Sequence, residues 1–115
     1  MPMIDLEDLQ RRLGGDRAAA ETVLSAFVRE APKMIGDLSA AVANDDRALI
    51  QRLAHTVRGT LLWIGATDAA ASARKVEVGL LSGPENGSQS ALLTLCGQVQ
   101  EIVLGLRSRA SRLAD

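Results

Sequence analysis

Apolar residues recur along most of the chain at intervals of three and four, the spacing that places them on one face of an α-helix. No segment of strand length alternates apolar and polar residues, so the pattern predicts an all-α protein. The predicted core positions, helix by helix, are Ile4, Leu6, Leu9 and Leu13; Leu24, Phe27, Val28, Ala31, Ile35, Leu38 and Val42; Ile50, Leu53, Val57, Leu61 and Ile64; Ala69, Ala70, Ala73, Val76 and Leu80; and Leu92, Leu95, Cys96, Val99, Ile102, Val103, Leu106, Ala110 and Leu113.

Stop signals near the N-terminus separate the first helix from the second. We predict a short cap helix within about residues 1–14, which ends at Gly14 and Gly15, and an N-cap at Asp16 for a long second helix. Pro32 lies inside the apolar pattern of that second helix, where proline removes a backbone donor and costs roughly 3 kcal/mol. The sequence alone therefore leaves two possibilities, one long helix with a kink or two shorter helices that meet just before the proline.

Further turn signals delimit the remaining helices. Asp46 is the predicted N-cap of a third helix over about residues 47–64, and Gly65 is its predicted stop. A fourth helix follows, and the segment 82–88, rich in glycine and serine, is predicted to be the loop before the last helix. Long amphipathic helices joined by short loops favour antiparallel neighbours. Residues 16–113 are therefore predicted to form an up-down-up-down four-helix bundle, with the short N-terminal helix added at one end.

Length and charge limit the chain to one ordinary domain without a nucleic-acid interface. The chain has 115 residues, and its 13 basic and 14 acidic side chains give a net charge of -1. A chain of this length holds one hydrophobic core, so residues 1–115 are expected to form a single domain. Arg107, Arg109 and Arg112 fit the solvated end of the last helix better than a basic patch, and we expect no nucleic-acid partner.

Cysteine usage and the N-terminus indicate the cellular setting. The single Cys96 has no second cysteine for an intramolecular disulfide or a zinc cluster, which favours a reducing, cytoplasmic location. The N-terminal string MPMIDLEDLQ has acidic residues in place of the basic region of a signal peptide, and no run approaches the ~20 apolar residues that cross a bilayer. We therefore expect no direct membrane contact.

The segment AHTVRGTLLWIGA, residues 54–66, contains the chain's only histidine. At about 100° per residue, Val57 and Leu61 fall on the core side of the third helix, and His55 lies on roughly the opposite side. His55 is therefore expected to face solvent. Its neighbours on this outward face, at spacings of three, four and seven residues, are Gln51, Arg52, Arg58, Gly59 and Leu62.

This group of residues suits the transfer of an anionic group. Gly59 costs about 0.5 to 1 kcal/mol relative to alanine inside a helix, and it clears space one turn from the imidazole for a close approach. An exposed imidazole is mostly neutral at physiological pH and keeps a nucleophilic lone pair, while Arg58 can stabilise the oxygens of a phosphoryl group. Arg58 alone could be a solvated charge and Gly59 alone a packing contact, but together with His55 they favour a phosphoryl-accepting site.

The string AHTVRGT at residues 54–60, continuing to IGA at 64–66, resembles the signature of histidine-containing phosphotransfer (HPt) domains of two-component phosphorelays. In that signature, alanine and histidine are followed by any residue, an aliphatic residue, lysine or arginine, glycine and a small residue. The resemblance extends over nearly the whole chain, including Phe27 of the second helix and the Val76-Glu77 pair of the fourth.

The resemblance implies that His55 is the phosphorylated residue, that Arg58 stabilises the phosphoryl group, and that Gly59 gives clearance for a docked receiver domain. The protein would take a phosphoryl group from a receiver-domain aspartyl phosphate and pass it to another receiver aspartate, without enzymatic turnover of its own. It would hold no cofactor and no metal, because the Mg²⁺ needed for transfer belongs to the partner. The implied partners are response-regulator receiver domains, and the chain fits both a free-standing protein and a domain of a hybrid sensor histidine kinase.

Two features beside the site depart from the family pattern. Arg58 stands where most members have lysine, which keeps the charge and replaces a point donor with a planar fork. Leu62 and Trp63 stand where members tend to have small or polar residues, and we expect these two, with Gln51 and Arg52, to belong to the partner-docking surface. The other interpretation of Trp63 is a residue at the edge of the bundle, half-buried against the fourth helix.

Other functional classes would use these residues differently. A helical protein-interaction module could dock a partner on the same face without phosphorylation, but it would have no need to retain His55 beside Arg58 and Gly59. A metalloenzyme bundle requires Glu-x-x-His motifs on two helices, which a single histidine cannot supply.

Overall fold

The computed structural model describes residues 6–79 and 87–114, apart from the side chains of residues 6, 87–88 and 108–114. Over this part of the chain the regular structure is helical throughout, which confirms the predicted class. The helices are α1 (Leu6–Arg12), α2 (Arg17–Ala43), α3 (Arg47–Trp63), α4 (Thr67–Gly79) and α5 (Gly87–Ala114). The predicted core side chains that lie outside the description are those of Ile4, Leu6, Leu80, Ala110 and Leu113.

Four of these helices form the predicted bundle, and α1 adds to it. α2 packs against α3 and α5, and α4 packs against the same two helices, so α2 and α4 lie diagonally opposite each other. α1 packs against α2. The connections 44–46 and 64–66 contain only three residues each, which is enough to reverse the chain, so the helices that they join run antiparallel.

α2 runs without interruption through Pro32. The missing N–H of Pro32 deprives the carbonyl of Val28 of its helical donor. Phe27 and Ala31 before this point and Leu38 after it are nevertheless buried in the same core. Because this apolar face holds both halves of α2 against the bundle, the chain keeps one long helix, and the alternative of two shorter helices is wrong.

The predicted starts of α2 and α3 are confirmed by their capping hydrogen bonds. The Asp16 side chain accepts a hydrogen bond from Ala19 N at 3.0 Å, and the Asp46 side chain accepts one from Leu49 N at 3.2 Å. Each carboxylate satisfies a backbone N–H that has no partner within the first turn of its helix. The two aspartates therefore fix where the helices begin.

α3 ends in a turn that requires glycine. Gly65 has a φ of 83°, in the left-handed region that side chains other than glycine rarely adopt. Ala66 N donates to Leu61 O at 2.8 Å, and Gly65 N donates to Leu62 O at 3.1 Å. This is the Schellman arrangement, which satisfies the last carbonyls of the helix. It reverses the chain within three residues and sets the register of α4 against α3.

Two predicted boundaries differ from the structure. The cap helix ends at Arg12 instead of residue 14, because Gly14 and Gly15 have positive φ and turn the chain earlier. Gly87 and Ser88, which were predicted to be in the loop, belong to the first turn of α5. Backbone N–H groups in a first helical turn have no helical partner, so glycine and serine cost little there. The rest of the predicted loop, residues 82–86, lies outside the described residues.

The buried core confirms the apolar faces that define the bundle. Its largest fully buried side chains are Leu9, Leu38, Ile50, Val57, Leu61, Ile64, Val76 and Leu95. Val28, Ile35, Val42 and Leu53 are only half-buried, at the edges of their faces. α4 contributes mainly small residues, Ala69, Ala70 and Ala73, which allow its axis to approach its neighbours closely.

Substitution of Gly65 tests the turn between α3 and α4. We expect Gly65→Ala to lower the free energy of unfolding by about 1–2 kcal/mol, because alanine is strained at positive φ. Gly97→Ala is the matched control, since Gly97 is an exposed helical glycine and a Cβ there meets no atom within 4 Å. It should raise the free energy of unfolding by about 0.5–1 kcal/mol. If urea denaturation gave the same change in the free energy of unfolding for both variants, the assignment of the turn would be contradicted.

Candidate functional site

His55 lies on the face of α3 that points away from the core. Ala54, Val57 and Leu61 are buried on the other side of the helix, whereas 66% of the His55 side chain is exposed. The outward orientation predicted from helical periodicity is therefore confirmed, and the imidazole is accessible to another molecule.

Glu77 of α4 contacts both His55 and Arg58. Its Oε1 lies 3.4 Å from His55 Nδ1, and its Oε2 lies 3.9 Å from Arg58 Nη1. Only 20% of the Glu77 side chain is exposed, and Oε2 accepts no hydrogen bond from the described residues. Glu77 is thus a largely buried carboxylate held beside the imidazole. The resemblance in the sequence included Glu77 in the layout of the fourth helix but gave it no role at the site.

Antiparallel packing of α3 and α4 explains this contact. His55 precedes Ala66 by eleven residues and Glu77 follows it by eleven, so the two side chains return to the same level of the bundle. They do so because both helices start from one tight turn and rise by the same distance per residue. Counting outward from Ala66, the residue after the predicted stop at Gly65, could have found Glu77, because that turn marks the reversal.

The carboxylate favours one protonation pattern of the imidazole. A neutral imidazole has one N–H donor and one lone pair, and a carboxylate only accepts hydrogen bonds. The negative charge of Glu77, 3.4 Å from Nδ1, favours the proton on that atom and the lone pair on Nε2. No residue in the described part of the chain donates a hydrogen bond to Nε2. Nε2 is therefore the ring atom that can attack an incoming group.

Arg58 lies at the edge of the same site. Its side chain is 31% exposed, and the 3.9 Å separation from Glu77 is longer than a hydrogen bond. A guanidinium has five N–H donors, so this ion pair leaves donors that can bind a second anion. Arg58 can consequently contact a group carried by His55 while it stays near Glu77.

An open surface continues along α3 from His55. A Cβ built on Gly59 meets no atom within 4 Å, so packing within the described chain does not require glycine there. Leu62, one turn further, is 49% exposed. Gln51 and Arg52 are exposed one turn before His55. The structure thus brings three of the predicted docking residues, Gln51, Arg52 and Leu62, together on one face, with open space above Gly59.

Trp63 is half-buried at the edge of the bundle, as one interpretation expected, but its neighbours are α1 and α2 instead of the fourth helix. The Arg12 guanidinium carbon of α1 lies 5.2 Å from the centre of the Trp63 ring. Arg12 Nη2 also donates to the Trp63 carbonyl oxygen at 2.5 Å. The ring remains 47% exposed and borders a groove between α2 and α3. α1 therefore fixes the position of a large aromatic side chain near the His55 face.

The described residues contain neither a candidate metal site nor a helix that could span a membrane. No group of three or more His, Cys, Asp or Glu side chains in 6–79 and 87–114 could hold a metal ion. Within the same ranges, no helix combines the length and the apolar character needed to cross a bilayer.

Comparisons with known proteins agree with this geometry. A model of the Hpt domain family matches residues 22–109. Among solved structures, the chain is similar to the HPT domain of the Hpt sensor hybrid histidine kinase from Shewanella, with a TM-score of 0.82 and 14% identity over 98% of this chain and 97% of that chain. At this identity the structural likeness shows the fold. Comparison with curated proteins gives no match.

Replacement of Glu77 tests whether it positions the imidazole. In Glu77→Ala we expect the proton of neutral His55 to move from Nδ1 toward Nε2, because the acceptor beside Nδ1 is lost. Nitrogen-15 NMR of the ring nitrogens measures this change. Glu77→Gln should also move the proton toward Nε2, because its amide oxygen turns toward the donors of Arg58 and its NH2 group is left to donate to Nδ1. An unchanged tautomer in Glu77→Ala would show that the carboxylate does not select it.

Proposed function

The chain belongs to the Hpt domain family, which acts in histidine phosphotransfer in two-component signalling, and we propose that it is a phosphorelay intermediate in which His55 accepts a phosphoryl group from a receiver-domain aspartyl phosphate and passes it to another receiver aspartate. The observation that supports this most strongly is the exposed imidazole whose Nδ1 faces Glu77, since that contact favours a lone pair on Nε2.

The proposed step is a direct displacement at phosphorus. The lone pair of His55 Nε2 forms the new P–N bond while the P–O bond to the aspartyl carboxylate breaks, and the carboxylate leaves with the bonding electrons. The proton stays on Nδ1, so the phosphorylated ring gains positive charge. Glu77 Oε1, 3.4 Å from Nδ1, stabilises that charge. Transfer to a second receiver aspartate is the reverse displacement, and the ring leaves as the neutral Nδ1-protonated imidazole.

Arg58 is proposed to bind the oxygens of the transferring group. Phosphoryl transfer is catalysed mainly by positioning and by neutralisation of charge on the equatorial oxygens. Arg58 lies one turn from His55 on the side of α3 that faces Glu77, and it has unused donors. A planar guanidinium can offer two parallel N–H groups to a phosphoryl group, which a lysine cannot do.

The partner is proposed to supply everything else that the reaction needs. The receiver domain would provide the aspartate and the Mg²⁺, so the chain would need no cofactor and would have no turnover on its own. Gln51, Arg52 and Leu62 would contact the receiver around His55. A hybrid sensor histidine kinase is a natural partner or parent protein, because the similar domain from Shewanella comes from one. A cytoplasmic place of action follows from this partner class.

Transfer of label tests the proposed function directly. Incubation with a purified receiver domain carrying a ³²P-labelled aspartyl phosphate should label the wild type and leave His55→Gln unlabelled, because glutamine offers no nucleophilic nitrogen. The label should be lost in acid, as expected for a phosphorus–nitrogen bond. Labelling of His55→Gln would refute the proposal. A wild type that binds receivers without becoming labelled would instead support an interaction module.

Removal of Arg58 tests the stabilisation of the phosphoryl group. We expect Arg58→Ala to slow transfer at least about tenfold, since a hydrogen bond to a charged group contributes about 1.5–3 kcal/mol. Arg58→Lys, which keeps the charge, should retain most of the rate. Arg107→Ala, a loss of the same charge from exposed α5, is the control and should transfer normally. Equal rates for Arg58→Ala and Arg107→Ala in rapid-quench measurements would exclude this role.

The Gly59→Ala substitution separates docking from folding. We expect it to raise the free energy of unfolding by about 0.5–1 kcal/mol, because a Cβ meets nothing in the chain. It should nevertheless slow transfer from a receiver domain, whose close approach the added methyl group obstructs. Gly97→Ala should give the same stabilisation with unchanged transfer. If both variants transfer at the wild-type rate, Gly59 does not provide clearance for the partner.

A further inference from the structure

A mostly apolar groove of about 440 Å³ runs between α2 and α3 beside the His55 face. Its apolar walls are formed by Val23, Phe27 and Met34 of α2 and by Trp63 and Ile64 at the end of α3, with Thr60 between them. Glu30 is an exposed charge at its border. A surface of this composition is suited to the apolar part of a partner, with a polar group at its edge.

Arg12 fixes one wall of this groove. Its guanidinium stacks over the Trp63 ring at 5.2 Å and donates to the Trp63 carbonyl oxygen. Arg12 Nε also donates to Asp8 Oδ2 at 2.9 Å, which orients the guanidinium from its own helix. An aromatic side chain held in this way loses little conformational entropy when a partner packs against it.

The groove lies close enough to His55 to be covered by a protein that docks on the histidine. Trp63 follows His55 by eight residues, which is about 12 Å along a helix that rises 1.5 Å per residue. A stable interface covers about 800 Å² of each partner, a patch roughly 16 Å in radius. A receiver domain centred on His55 therefore covers Trp63 as well. Thr60 and Trp63 face α2, whereas Arg58 faces Glu77 of α4. The groove therefore lies on one side of His55, and the charged pair of Arg58 and Glu77 lies on the other.

We propose that Arg12 holds Trp63 as a fixed wall of the α2–α3 groove, and that this groove receives an apolar side chain of the receiver domain that exchanges a phosphoryl group with His55. The inference rests on the proposed function and adds the part of the surface that selects the partner. Arg12 is a positioning residue, because it acts on the partner through Trp63. α1 thereby contributes to receiver recognition, although His55, Arg58 and Glu77 all lie on other helices.

The test measures transfer from purified, phosphorylated receiver domains of the same genome at increasing receiver concentration. Trp63→Ala and Arg12→Ala should raise the half-saturating receiver concentration by about five- to thirty-fold, as expected for loss of a packed aromatic ring or of its cation–π and hydrogen-bond contacts. The maximal rate should change little. Trp63→Phe, which keeps an apolar wall, should restore most of the binding.

Arg11→Ala is the matched control for Arg12. Arg11 lies on the same helix and pairs with the same Asp8, at 3.5 Å, with 73% of its side chain exposed. Its loss should leave the half-saturating concentration unchanged. Chemical phosphorylation of His55 by phosphoramidate requires no docking, so all these variants should be labelled by it at the wild-type rate. Circular dichroism shows whether each variant keeps its helices.

The outcomes distinguish the groove from the phosphoryl site. If the wild type takes no label from receivers, the proposed function itself fails. If the wild type is labelled and the Trp63 and Arg12 variants saturate at the wild-type receiver concentration, the groove does not bind the receiver. If a second copy of the chain covers the groove, the sedimentation coefficient should fall in Trp63→Ala. If residues 1–5 cover it, deletion of those residues should tighten receiver binding. Either result would overturn the proposal.

Discussion

The contact of the Glu77 carboxylate with His55 and Arg58 is the interaction on which the site depends. It joins α3 to α4, and it is possible because a three-residue turn at Gly65 brings both helices back to the same level. Only 20% of its side chain is exposed, so packing holds the Glu77 carboxylate close to the imidazole. In the proposed transfer, this one largely buried carboxylate orients the nucleophile, compensates the charge that the ring gains and holds the neighbouring guanidinium near the acceptor.

Helical periodicity and the capping residues predict most of the helices and their boundaries, because these signals lie within a few neighbouring residues. The caps at Asp16 and Asp46, the stop at Gly65 and the outward orientation of His55 each follow from a few neighbouring residues, and the structure confirms them. Glu77 entered the sequence resemblance but was given no role at the site, because its importance comes from a contact across two helices. Pro32 left two alternatives open, since tertiary burial of the face around it decides whether the helix continues.

α1 and Trp63 show the same limit more clearly. The sequence offered two interpretations of Trp63, at the bundle edge beside the fourth helix or in partner contact, and neither included Arg12. The two residues are separated by 51 positions, and their stacking depends on how α1 packs at the end of α2 and α3. Apolar periodicity does not describe a cation placed over an aromatic ring. A departure from the usual residues of the family thus coincides with a contact that only the fold creates.

His55 Nε2 is proposed to carry the phosphoryl group while Nδ1 keeps its proton beside Glu77. The most direct measurement is NMR of protein labelled with nitrogen-15 in histidine, after phosphorylation by a receiver domain. We predict phosphorus–nitrogen coupling at Nε2, with the Nδ1 proton retained in the wild type. Coupling at Nδ1, or phosphate attached to any other residue, would contradict the assignment, because the contact with Glu77 would then not determine which nitrogen reacts.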